Sequence, residues 1–253
     1  MAGARLDGAR AIDVLYASDL DTGFIHAFDA NGAEVGIYDH GAAGRAAAGL
    51  PAFDDDPDNR ADITTESFKS NDPTTWGYAE PPRRVLGIKT HDGRLFYAVA
   101  EGPEIWSVAI GDGGRFDEPR REIALPTDAE PYEVADIAFT AAGWMILAQR
   151  PPVTGGYDYV TPVASGPARV LRYRPADDGR GWVEAPDEYA VGLRDDNRNA
   201  AGGLALGYGY KSGGGLDYGR CEATLWATGE SLLQQASRAI KVEKVPGFAT
   251  SAI

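Results

Sequence analysis

The chain has one cysteine, Cys221, among 253 residues, which excludes an intrachain disulfide. A reducing compartment is therefore allowed, and so is a secreted protein that needs no disulfide. Histidines number only three, and they are scattered, which argues against a zinc site. No apolar run approaches the roughly 20 residues that a membrane-spanning helix needs. The first ten residues carry Arg5 and Arg10 but lack the apolar core of a secretory signal. As written, the chain reads as cytoplasmic or as a fragment of a secreted protein. Positive charge is also short: 24 basic residues face 38 acidic ones, a formal charge of −14. Such a field repels phosphate backbones and anionic lipid heads, which argues against nucleic-acid and membrane-surface binding, and without an apolar span no membrane insertion is expected.

Catalytic signatures are missing too. There is no G-x-S-x-G nucleophile elbow. The stretch Gly207-Tyr208-Gly209-Tyr210-Lys211-Ser212 has Tyr210 where a phosphate loop needs glycine, and it lacks the third glycine of a dinucleotide fingerprint.

What the chain does have is a succession of short apolar segments separated by turn residues. Residues 12–17, 24–28 and 34–38 read as a three-strand meander. Asn31-Gly32 lies between the last two, and that pair suits a type I′ turn because both residues tolerate positive φ. A second unit runs through residues 84–90, 94–100, 104–110 and 121–125, with turns at His91-Asp92-Gly93, Gly102-Pro103 and residues 111–114. A third covers 134–140, 144–149, 168–173 and 182–184, interrupted by an insertion over 150–166. A fourth is partial, at 202–210 and 222–228.

This pattern predicts an all-β, β-propeller-like fold of about four meander units of four strands, with a sandwich as the plainer alternative. The expected domain covers residues 1–230. Residues 231–253 form a tail with a short helical pattern over 232–240 and no closing strand. The ring is then either a small four-bladed propeller or an incomplete one.

Two stretches carry a family resemblance. Residues Gly93-Arg94-Leu95-Phe96-Tyr97-Ala98-Val99, followed by Glu104-Ile105-Trp106-Ser107-Val108, resemble a blade of NHL-type and gluconolactonase-type propellers. Val14-Leu15-Tyr16-Ala17-Ser18 with Ile25-His26-Ala27-Phe28-Asp29 is similar. The resemblance is structural and covers about residues 12–228. Gluconolactonase-type enzymes hold a divalent metal in the central channel, but their ligands do not map onto this sequence residue by residue.

The most pointed chemical feature is Asp54-Asp55-Asp56-Pro57-Asp58-Asn59-Arg60-Ala61-Asp62. Carboxylates at Asp54, Asp56, Asp58 and Asp62 have the alternate spacing with which loops gather oxygen ligands around calcium. A solvated acidic loop is the bland reading. Asp196-Asn197-Arg198 echoes Asp58-Asn59-Arg60, as turn chemistry or as a shared rim. His26 is expected to be packed and hydrogen-bonded, His40 and His91 to be exposed turn residues, and Cys221 to be a buried strand residue. Tyr157, Tyr159, Tyr208 and Tyr210 are candidates for an aromatic binding rim, or simply pin long loops to the sheets.

Two functions follow. The first is a non-enzymatic binding module for protein or carbohydrate, with a calcium-stiffened acidic loop. The second is a metal-dependent lactonase or esterase with a channel cation held by Asp58, Glu101, Asp136 and Asp196.

Overall fold

The computed structural model describes residues 2–4, 14–126, 132–151, 166–185, 189–230, 232, 234–236, 240–242 and 247–252. The chain is mostly β, built from several antiparallel sheets. Among the described residues, no helix is long and apolar enough to cross a membrane. The chain divides into two compact units, Met1–Glu133 and Val134–Ile253.

The first unit contains two four-stranded meanders. One comprises β1 (Ala2–Ala4), β2 (Val14–Ser18), β3 (Phe24–Asp29) and β4 (Glu34–Asp39). The other comprises β5 (Val85–His91), β6 (Arg94–Val99), β7 (Glu104–Ile110) and β8 (Phe116–Ala124). Strand β1 has no counterpart in the sequence reading. Its Ala-Gly-Ala composition carries no periodic signal, yet it pairs with β2 through Ala2↔Tyr16 and Ala4↔Val14.

The two meanders meet face to face. Val14 and Tyr16, Ile25 and Ala27, and Tyr38 from the first sheet bury against Val85, Leu95, Tyr97, Val99, Trp106 and Val108 from the second. Residues two apart point to the same face of a strand, so each sheet offers one continuous apolar surface. Trp106 is fully buried, and its indole N–H donates to Glu104 Oε2 at 2.8 Å. This satisfies the only polar atom that the side chain brings inside.

The two tight hairpins of this unit differ in kind. Asp92 and Gly93 have φ of 44° and 70°, the type I′ arrangement, with His91 paired to Arg94. At Asn31-Gly32 the expected type I′ turn is not formed, because only Gly32 has positive φ, at 81°. Asp29 is the reason. Its Oδ1 accepts the N–H groups of Asn31 and Ala33 at 2.8 and 2.9 Å. Its carbonyl accepts from Gly32 at 3.0 Å. The loop therefore takes three residues, with Gly32 at the left-handed position of the bulge.

Residues 40–84 connect the two sheets and are tied down chiefly by Arg83, a nearly fully buried cation. Its guanidinium donates to Thr22 O at 2.7 Å, Phe53 O at 2.8 Å and Asp39 Oδ1 at 3.1 Å. Each arm of the fork thus has an acceptor, as a buried cation requires.

The second unit contains a third meander, β9 (Glu133–Phe139), β10 (Met145–Arg150), β11 (Val170–Pro175) and β12 (Trp182–Glu184). It follows the expected units closely. Next come β13 (Ala200–Gly207), β14 (Gly209–Tyr210), β15 (Leu216–Asp217) and β16 (Thr224–Gly229). Last are β17 (Gln234–Ala236), β18 (Ile240–Val242) and β19 (Gly247–Ala252).

The tail differs from expectation in two ways. Where a short helix was predicted within 232–240, Gln234–Ala236 pairs antiparallel with Ile240–Val242. Such a brief apolar spacing fits a hairpin as well as a helix turn. The tail also supplies a strand to a sheet: β19 pairs with β16 from Thr224↔Ala252 to Gly229↔Gly247, giving the order β13-β16-β19. Its sequence Gly-Phe-Ala-Thr-Ser-Ala carried no strand signal.

Candidate functional site

The acidic loop lies in the connection between β4 and β5. Asp54, Asp56, Asp58 and Asp62 are all exposed. Two of them are occupied by turn-making. Asp56 Oδ1 accepts the N–H of Asp58 at 3.1 Å and caps a 3-10 turn over Pro57–Asn59. Asp62 Oδ1 accepts the N–H and hydroxyl of Thr64 at 2.9 and 2.6 Å. Those bonds favour the ionised form, so the Asp62 carboxyl is held below its ordinary pKa. Between them, Asp55 forms an ion pair with Arg60.

A related turn ten residues further on was missed in the sequence, although its signal is plain. Asp62-x-Thr64-Thr65 recurs as Asp72-x-Thr74-Thr75. Asp72 Oδ1 accepts the N–H and hydroxyl of Thr74 at 3.1 and 2.6 Å. In both copies the second threonine hydroxyl donates to the aspartate carbonyl at 2.8 Å. Together these turns border a shallow depression of about 360 Å³ beside Asp58, Asp62 and Gly77. Among the described residues, no group of three or more His, Cys, Asp or Glu is placed to hold a metal ion.

Of the four residues considered for a channel cation, Asp58 and Glu101 lie in the first unit, Asp136 and Asp196 in the second. Glu101 forms an ion pair with Arg45. Asp136 accepts the Ile137 N–H on one oxygen and the Leu204 N–H on the other, each at 2.8 Å. It thereby pins the point where β13 departs from the β16 ladder, between Ala200 and Leu204. Asp196 is exposed in a turn where it and Asn197 both adopt left-handed φ, 55° and 63°. Asp58 and Asn59 do not share that backbone, so the two Asp-Asn-Arg sequences are not equivalent turns.

His26 sits half-buried on β3 with Nδ1 2.5 Å from Glu34 Oε1, hydrogen-bonded as expected. His91, expected as an exposed turn residue, instead ends β5 and is half-buried beside Asp92. His40 overturns its assignment as an exposed turn residue. Only 2% of it is exposed. Its Nδ1 lies 3.1 Å from the Tyr97 hydroxyl, which is 2.9 Å from that of Tyr38. The imidazole also sits edge-to-face on Trp106 at 4.8 Å. Burial, then the nearby Arg45 and Arg83 charges, push its pKa down to about 3. Cys221 likewise reverses its expectation: it is exposed, because β16 begins only at Thr224.

Tyr157 and Tyr159 lie outside the described residues. Tyr208 and Tyr210 are 40% and 42% exposed, and two further side chains join them: Leu216 at 41% and Tyr218 at 71%. The register Tyr210↔Leu216 and Gly209↔Asp217 sets these four on one face of the β14–β15 hairpin. The Tyr208 and Tyr218 rings meet edge-to-face at 5.1 Å. The opposite face is anchored. Gly209 is buried, its N–H donates to Arg220 O at 2.8 Å, and a Cβ there would lie 3.1 Å from Arg220 Cβ. The missing side chain lets the hairpin lie flat, so its tyrosines face outward. The sequence had shown Tyr208 and Tyr210; Leu216 and Tyr218 become their neighbours only through the turn at 211–215.

No protein-family model matches this chain, and no curated protein matches it.

Proposed function

We propose that the protein is a non-enzymatic binding module that presents an aromatic surface on a scaffold of propeller-type meanders. The carrying observation is the outward face of the β14–β15 hairpin, where Tyr208, Tyr210, Leu216 and Tyr218 are all substantially exposed. Tyrosine brings large contact area at low conformational cost, and its hydroxyl tolerates both water and a polar ligand. Such a surface suits a sugar ring or a protein partner. The propeller reading draws support from the repeated four-stranded meanders and from the face-to-face packing in the first unit.

The test is a binding panel of oligosaccharides and peptides, run with the wild-type chain and with a Tyr208→Ser/Tyr218→Ser double variant. Both residues are exposed, so the variant should keep the wild-type melting temperature and lose at least tenfold in affinity. Equal affinity of the two chains for every ligand bound would remove the hairpin from the account.

Calcium stiffening of the 54–62 loop belongs to the same proposal, supported by the carboxylate spacing and by the exposure of Asp54 and Asp58. A calcium-specific rise in melting temperature, reversed by chelator and lost in Asp58→Asn, would bear it out. The lactonase or esterase reading has less support. Its candidate Asp136 already accepts a backbone N–H on each oxygen, and Glu101 is already paired with Arg45. Metal-dependent turnover of a lactone and ester panel would restore it.

A further inference from the structure

The outward face of the β14–β15 hairpin holds two phenols placed for a reaction that needs no ligand. The Tyr208 and Tyr218 rings meet edge-to-face, with centroids 5.1 Å apart and planes at 69°. Their backbones belong to one frame. Tyr208 precedes Gly209, whose N–H donates to Arg220 O at 2.8 Å. Tyr218 follows Asp217, whose carbonyl accepts the Arg220 N–H at 3.0 Å and whose Oδ1 accepts the Gly219 N–H at 3.2 Å. The Arg220 backbone thus ties the turn that carries Tyr218 to the segment that carries Tyr208. The two side chains are 71% and 40% exposed respectively. Surface rings reorient within picoseconds to nanoseconds, while the backbone keeps this pair adjacent.

We propose that Tyr208 and Tyr218 are a modification site: hydrogen peroxide and a haem peroxidase join them as an intramolecular dityrosine. The enzyme takes one electron and the hydroxyl proton from each phenol, leaving two phenoxyl radicals. A carbon–carbon bond forms between the ring positions ortho to the two oxygens. Each ortho hydrogen then moves to its neighbouring oxygen, which restores both phenols. The two hydrogens lost by the protein reduce one hydrogen peroxide to two waters. Adjacency and access select this pair. Coupling of rings already held together replaces an encounter between two chains, and the charge of −14 on each chain opposes that encounter further. Tyr38 and Tyr97 are also adjacent, at 5.6 Å, but they are 4% and 0% exposed, so the peroxidase cannot touch them. The new bond closes the hairpin covalently in a chain whose one cysteine cannot form a disulfide within it. It forms whether or not the hairpin binds a ligand.

The experiment treats the dilute full chain with a haem peroxidase and hydrogen peroxide, then digests it with trypsin. Cleavage after Arg198, Lys211 and Arg220 puts the two tyrosines on separate peptides, 199–211 and 212–220. Mass spectrometry should find these peptides joined and lighter by two hydrogens, with fragmentation placing the link on Tyr208 rather than Tyr210. The yield should not rise with protein concentration. Tyr208→Phe and Tyr218→Phe each remove only an exposed hydroxyl, and each should lower the joined product at least tenfold at an unchanged melting temperature. Cys221→Ser is run alongside, because it removes an exposed thiol that competes for oxidation. The proposal is overturned if neither wild type nor Cys221→Ser gives the joined peptides, if the link falls on Tyr210, or if tyrosines couple only between chains. An absent crosslink leaves the ligand panel untouched, and a failed panel leaves the crosslink untouched, so the two proposals fail separately.

Discussion

Acidification should destabilise this protein well above the carboxylate range, and His40 is the cause. A histidine in an unfolded chain has a pKa near 6.5; in the fold His40 is pushed down to about 3. Above pH 6.5 the imidazole is neutral in both states and contributes no pH dependence. As pH falls below 6.5, the unfolded chain takes up a proton that the folded chain refuses, so stability is lost progressively until pH approaches 3. With about 1.4 kcal/mol per unit, the loss is about 2 kcal/mol at pH 5 and approaches about 5 kcal/mol at the limit. His40→Gln keeps a hydrogen-bonding group near the Tyr97 hydroxyl and cannot take the proton. Urea unfolding at pH 7.5 and pH 5.0 should show wild type losing about 2 kcal/mol more than this variant. Equal losses in the two chains, or a folded-state His40 titration near pH 6.5, would refute the reasoning.

Other changes test the scaffold and the surface separately. Arg83→Met leaves one buried and two part-buried acceptors without their donor and should cost about 3–5 kcal/mol in denaturant unfolding; a cost under about 1 kcal/mol would mean water replaces the guanidinium. Trp106→Ala empties the centre of the first unit's core and should cost about 3–5 kcal/mol, read from the same curves. Gly93→Ala forces a side chain into φ 70° at the type I′ turn and should cost about 1 kcal/mol. Gly209→Val should lift the hairpin off Arg220 and weaken ligand binding more than it lowers the melting temperature; the reverse order would assign Gly209 a purely structural part.

The parts of this architecture that were legible in the sequence are those governed by local rules. Leu95 to Val99 form a continuous apolar run that begins just after Asp92-Gly93, so strand and turn follow from short-range chemistry, although the run does not mark which face is the core. Asn31-Gly32 shows the limit of such rules, because the Asp29 carboxylate two residues earlier selects a different loop. The failures lie where long-range contacts decide. His40 follows a strand and precedes a glycine, as exposed turn residues do, yet Tyr97 and Trp106 from the other sheet enclose it. The β19 strand, Gly-Phe-Ala-Thr-Ser-Ala, has little strand signal of its own and forms by pairing with the β16 backbone. The binding surface was half visible for the same reason: Tyr208 and Tyr210 are two apart in sequence, whereas Leu216 and Tyr218 reach them only across the hairpin.

Amide chemical-shift mapping of the full chain with the tightest ligand from the panel is the most direct check on non-catalytic recognition through the tyrosine hairpin. The largest changes should fall within residues 208–218, and the ligand should be recovered chemically unchanged. Shifts centred instead on Asp58, Glu101, Asp136 and Asp196, together with a converted ligand, would contradict the account and point to metal-dependent hydrolysis.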